Sequence, residues 1–203
     1  MHPDKYALNV LSSLSVFADK QSNVVLEVLA GQIPHENEKF PKGELNFGNA
    51  GWRGFYHCHP AAEKHLEEHG HFHLFARCAV KQDNSTDWTH VVALSIDEQG
   101  QPRAWFTVNQ WVTGANWLAA SEIELLLEDI KIPADVTVIE KFLLSMLGLY
   151  QDDLKDILLE RDSRLIQVNA EVDVSDKLCD RSIYVLSSQP IELQQRLQLA
   201  VSG

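Results

Sequence analysis

Cysteine is scarce in this chain. Cys58, Cys78 and Cys179 are the only three in 203 residues, none in CxxC spacing, which excludes a disulfide-stapled scaffold and fits reduced thiols. Positive charge is also thin: 17 Lys and Arg against 29 Asp and Glu give a net charge of −12. That sign is wrong for binding nucleic-acid phosphates or anionic membranes. No apolar run approaches the ~20 residues that span a bilayer. The opening MHPDKYALNV has no basic segment followed by an apolar one, so a cytoplasmic protein is expected. GxGxxG, GxxxxGK[ST] and GxSxG are all missing from the sequence, and nothing flags a nucleophile. With 10 Gly, 7 Pro and 45% hydrophobic residues, the chain is neither collagenous nor low-complexity. At this length roughly 70% of the unfolded surface can be buried, so one core and a single domain over 1–203 are expected.

What is present falls into blocks. Residues 4–30 carry Leu8, Leu11, Leu14, Val16 and Phe17 at helical spacing, then a second run from Val24 to Leu29 that Ser22 could cap. Ile33 to Gly51 collects Pro, Gly and Asn without a period and reads as a long loop over a pocket. Between 52 and 112, WRGFYHCH, HFHLFARCAV, HVVALSID and PRAWFTVNQWV are aromatic or β-branched, which is strand grammar. Asp97–Gln101 supplies a hairpin turn. From Trp117 the period is helical again. Ser121 and Glu124 are spaced as a capping box, Val136–Leu149 and Asp152–Val168 read as two helices, Ile183–Ser187 as a strand, and a last helix follows Pro190. The expected fold is α+β: a mainly antiparallel sheet of about five strands (52–112 plus 183–187) with helices before and after it. The apolar stripes of 118–166 are core, with room for a homodimer face.

Six of the nine histidines lie between residues 57 and 73: His57, His59, His65, His69, His71 and His73. Imidazole is the commonest ligand for Zn, Fe, Ni and Cu and titrates near neutral pH. Side chains alternate across a strand, so His57 and His59 share one face, as do His71 and His73. If those two strands pair, four imidazoles converge with cross-strand Cβ atoms about 5 Å apart, close enough for one metal ion. Cys58 and Phe72 then point the other way; Cys58 becomes an activated thiolate only in a different register. His65, in the charged EKHLEEH stretch, reads as solvated surface.

Two motifs compete for these residues. Gly51-x5-His57-x-His59-x3-Glu63-x6-Gly70 has the spacing of the first cupin motif, in which two histidines and a glutamate hold a metal inside a β-barrel; no second cupin motif follows. His65-Leu66-Glu67-Glu68-His69 has the HxxEH form of inverted zinc peptidases, with Glu68 in the position of general base. Over most of its length, through YHCHP, EHGHFHLF and FTVNQWVTGANW, the chain also resembles an uncharacterised bacterial family defined as a domain of unknown function. That resemblance implies one histidine constellation and supplies no roles.

The sequence therefore predicts one divalent transition-metal ion, Zn or Fe, held by His57, His59, His71 and His73, in an enzyme acting on a small molecule. Glu68, Glu63 and His69 are the candidates for general base, carboxylate ligand or proton shuttle. Trp105, Thr107, Asn109 and Trp111 alternate onto one face and suit a pocket wall, and Arg53, Arg77 and Arg103 near strand ends suit an anionic substrate. Two other readings use the same residues: a metal- or pH-sensing module without turnover, and a metal-free histidine network stabilising the sheet.

Overall fold

Aromatic and β-branched side chains favour the pleated, half-buried surface of a sheet, and the four stretches rich in them are strands: β2 (Trp52–His57), β3 (Gly70–Arg77), β4 (Trp88–Ile96) and β5 (Pro102–Val108). The computed structural model describes residues 4–35, 38–48, 50–58, 68–78, 87–167 and 173–202. With β1 (Phe40–Leu45) and β6 (Val185–Pro190), these strands form one antiparallel sheet in the order β1-β2-β3-β4-β5-β6. The α+β expectation holds, with six strands.

β1 lies inside the stretch expected to be a long loop. Pro41 lacks an N–H and Gly43 has no side chain to pack, which masks a strand in the sequence. An edge strand tolerates both, because one row of its backbone groups needs no partner. Its pairing is irregular, with Phe40 opposite Tyr56 but Leu45 opposite Gly54.

The helices are α1 (Lys5–Asp19), α2 (Val24–Leu29), α3 (Gln110–Thr113), α4 (Ala120–Glu128), α5 (Val138–Leu149), α6 (Gln151–Gln167), α7 (Val174–Leu178) and α8 (Leu193–Ser202). Two caps differ from expectation. Asn23, not Ser22, caps α2, accepting from the Val25 and Leu26 amides at 2.9 and 3.0 Å. At α4, Glu122 accepts the Ala119 amide at 2.9 Å and Asp162 of α6 accepts the Ala120 amide at 2.7 Å, so Ser121 is already inside the helix. The Glu140 carboxylate closes a capping box with Thr137 and reaches out of α5 to accept the Asn46 and Phe47 amides at 3.2 and 3.1 Å. That contact fastens the β1–β2 connection to the helical layer.

Helices α1, α2, α4, α5, α6 and α8 cover one face of the sheet, where Phe72, Leu74, Leu94 and Trp105 pack among Phe17, Leu127, Phe142 and Leu154. Each such side chain, fully buried, is worth about 1.5–3 kcal/mol, so this layer fixes the fold. Among the described residues no helix is long and apolar enough to cross a membrane. The second face has smaller apolar clusters, Phe55 with Phe75 and Ala115, and Phe106 with Val108, Val112 and Tyr184. The candidate site lies between them.

Candidate metal centre

Strand alternation decides which side chains reach the second face. Tyr56, Phe72 and Leu74 enter the helix-covered core, so their neighbours Phe55, His57, His71, His73 and Phe75 project the other way. β2 and β3 pair with His57 directly opposite His71 and Phe55 opposite His73. Gly70 makes this approach possible. A Cβ there would lie 2.4 Å from the His57 carbonyl oxygen and 2.5 Å from the Tyr56 hydroxyl, forcing the strands apart beside the histidines.

The imidazoles converge through one atom each. His57 Nε2 is 2.6 Å from His71 Nε2, which is 3.2 Å from His73 Nε2, and the ligand atoms of all three lie within 4.8 Å of one another. The far nitrogens of His71 and His73 are held. His71 Nδ1 meets Glu68 Oε1 at 2.8 Å, with only 2% and 4% of the two side chains exposed. His73 Nδ1 lies 2.9 Å from His90 Nε2. Phe55 packs against the rings of His57 and His73, and Phe106 against the edge of His71.

An ionised carboxylate only accepts, so the Glu68 contact favours a proton on His71 Nδ1 and turns Nε2 toward ligation. Burial holds the His90 pKa down to about 3, so His90 is neutral. His73 Nδ1 and His90 Nε2 share one proton across 2.9 Å, and in the tautomer where His73 donates, its Nε2 is the ligating nitrogen. A cation at the meeting point could be held by all three Nε2 atoms. Nitrogens bound at about 2.1 Å around a tetrahedral ion sit about 3.4 Å apart, so the His71–His73 spacing already suits one and the His57–His71 pair must open by about 0.8 Å.

His90 is the residue that sequence reasoning missed. A bulge in β4 shifts the register with β3, setting Leu74 opposite Val92 but Phe75 opposite His90. Val91 and Val92 both enter the core, and the parity beyond them is reversed, which aims His90 at His73. The signal was HVVA: two adjacent apolar residues where strict alternation requires one.

The other expected residues divide. His59, Glu63 and His65 lie outside the described residues. Glu68 and His69 lead into β3 in non-helical conformation, so the helix an HxxEH reading needs does not extend to them. His69 turns to the other side of the sheet, where its Nδ1 meets the Tyr56 hydroxyl at 2.5 Å; burial raises the pKa of that phenol. Cys58 is buried and unbridged, and Cys179 is exposed.

Arg53 and Trp111 line a cavity of about 430 Å³ beside His57 and His73. Trp105 and Asn109 do not join them: Trp105 points to the helix side within β5, and Asn109 and Trp111 lie beyond Val108, where the strand and its alternation end. Trp105 faces the helices against Tyr150. The Asn109 amide donates to the Lys177 and Asp180 carbonyls at 2.9 and 3.4 Å while its oxygen caps α3. Trp111, one residue into that helix, donates from Nε1 to the Ile183 carbonyl at 2.8 Å. Thr107 also faces the helices, its hydroxyl 2.6 Å from that of Ser187. Arg77 is exposed and stacked on Trp88, and Arg103 is exposed. A second cavity, of about 370 Å³, opens on Glu68 and His71 and is walled by Phe106, Tyr184 and Val185.

No curated protein and no solved structure shows significant similarity to the chain. A family model described as Domain of unknown function (DUF6969) matches residues 4–191, and the chain belongs to that family.

Proposed function

We propose that His57, His71 and His73 hold one divalent transition-metal ion through their Nε2 atoms, and that the protein is a metal-dependent enzyme acting on a small molecule. The observation that supports this most is the inward convergence of three Nε2 atoms whose two buried partners are locked from behind, His71 by Glu68 and His73 by His90. Carboxylates and hydrogen-bond acceptors on the far nitrogen of a ligating histidine fix its ring and raise its basicity. Three histidines are the donor set of a catalytic rather than a closed structural site, and cavities adjoin both sides of the cluster. A bound ion of this kind supplies Lewis acidity and lowers the pKa of water. The chain's own part is to orient the imidazoles and to offer an aromatic wall, Phe55, Phe75 and Phe106, that excludes bulk solvent. Glu68 serves as a positioning residue, its Oε1 held by His71.

The 2.6 Å contact between His57 and His71 favours one competing reading, a metal-free network in which those rings share a proton. Elemental analysis of untagged protein purified without added metal separates the two. The metal-centre reading expects close to one equivalent of a single transition metal, lost in His73→Ala, with a lower melting temperature after chelation. Less than about a tenth of an equivalent, with melting unchanged by chelator, overturns it.

A further inference from the structure

The cavity beside His57 and His73 has a charged end. Lys39 Nζ and Arg53 Nη1 both reach the Glu44 carboxylate, at 3.4 and 3.5 Å. Among the described residues these two cations share one anion through long contacts, so the trio carries one positive charge in excess, in a protein whose net charge is −12. The cations are also positioned. The Arg53 guanidinium stacks over Phe75 and Trp88, 5.1 and 4.7 Å from the ring centroids, and Lys39 Nζ lies 4.1 Å from the Phe55 centroid. Arg53 Nε is buried and, among the described residues, has no hydrogen-bond partner. A guanidinium kept in place by aromatic faces, with a donor unmet, is suited to pair with a second carboxylate.

Between this charged end and the histidines the walls are aromatic: Phe55, Phe75, Trp111 and Tyr184. Arg53 and His57 are four residues apart on β2, so their Cα atoms are separated by about 13 Å at about 3.3 Å per residue. A ligand touching both ends has an anionic head, an apolar body of ring size, and a second end at the imidazoles. Its volume must fit within about 430 Å³, ordinary for a small-molecule site.

From this juxtaposition we infer that the cavity binds a small aromatic or apolar carboxylate, its carboxylate on Arg53 and Lys39 and its body between Phe55, Phe75 and Trp111, with the far end directed at His57 and His73. The inference rests on the metal-centre reading only for what the far end meets. Glu44 tunes the site as the carboxylate that the ligand displaces from Arg53.

The test uses the protein as purified and three probes of one shape: 3-phenylpropanoate, its neutral amide and 3-phenylpropylamine. Binding is followed by tryptophan fluorescence, with Trp88 and Trp111 beside the cavity, and by calorimetry. The carboxylate is expected to bind saturably and about tenfold or more tighter than the amide, the size of one charge-assisted contact, with the amine weakest. Arg53→Gln should erase that preference and Arg53→Lys restore part of it. Glu44→Gln should tighten carboxylate binding while leaving amide binding unchanged, a change of sign that no loss of folding imitates. Equal affinity for carboxylate and amide, absence of saturable binding at millimolar carboxylate, or no gain in Glu44→Gln each overturns the inference. Metal content measured on the same samples keeps the two readings apart: charge preference without metal removes the metal centre and leaves this site, and metal without charge preference does the reverse.

Discussion

Replacing Glu68 by Gln removes a charge from behind the candidate metal centre while keeping the side chain's shape. Glu68 Oε1 lies 2.8 Å from His71 Nδ1, and the two side chains are 4% and 2% exposed. A hydrogen bond to a charged partner is worth about 1.5–3 kcal/mol, and burial keeps it from being screened. The amide oxygen of Gln still accepts from Nδ1, so the ring keeps its place but loses the carboxylate's pull on its basicity. Changes of this kind cost about 10–100-fold in metal affinity, or about 1.4–2.7 kcal/mol. The assay is a competition titration of metal-stripped protein against a chromophoric chelator at fixed pH, comparing wild type, Glu68→Gln and Glu68→Ala. The expected order of affinity is wild type, then Gln, then Ala, with Ala weakest because the Nδ1 donor is left unmet. An affinity for Glu68→Gln within about twofold of wild type would refute the reasoning, since Glu68 would then play no part in readying His71.

Other perturbations separate the site from the scaffold. Gly70→Ala places a methyl group 2.4 Å from the His57 carbonyl oxygen; it should cost about 1–3 kcal/mol in urea unfolding and lower metal content with it, and a variant with normal metal occupancy would remove the register from the account. Glu140→Gln weakens the box at α5 and the grip on Asn46 and Phe47, so about 1–3 kcal/mol of stability should go with metal content unchanged. His59→Ala should retain metal if three imidazoles suffice, and loss of the ion would make the site a closed one of four. His90 contributes an acid dependence. Its pKa is about 3 in the fold against 6.5 ordinarily, so the unfolded chain takes up a proton that the folded one refuses. Stability should therefore fall as pH drops from about 6.5 toward 3, and the slope of melting temperature against pH should flatten in His90→Asn.

The elements most legible in the sequence were those whose periodicity is set by burial on one side. α1, α5 and α6 follow apolar spacing, and β2 to β5 follow aromatic and β-branched runs. That His71 and His73 share a face, and that Phe72 points away from it, follows from alternation alone, whereas the pairing of His57 with His71 is a matter of register. What escaped notice lies where a strand departs from regularity. β1 was hidden by Pro41 and Gly43 in an edge position. His90 was hidden by the β4 bulge, which reverses parity over one residue. Trp105 and Asn109 were assigned to one wall with Trp111 because β5 was carried three residues too far, past Val108 into α3. The caps at Asn23 and Ala119 depended on which of several adjacent polar groups reaches the free amides, a tertiary matter at α4, where Asp162 comes from another helix. Glu44 and Lys39, at the charged end of the cavity, meet Arg53 and Phe55 only through the folding of β1 onto β2.

The central claim, that three imidazoles share one ion, is tested most directly by X-ray absorption at the edge of whichever metal the purified protein retains. Wild-type protein should show nitrogen neighbours, at about 2.0–2.1 Å if the metal is zinc, with the outer-shell scattering of three imidazole rings, falling to two in His57→Ala. A sulfur neighbour at about 2.3 Å, from a cysteine such as Cys58, or a wild-type ion bearing fewer than three imidazoles, would contradict it.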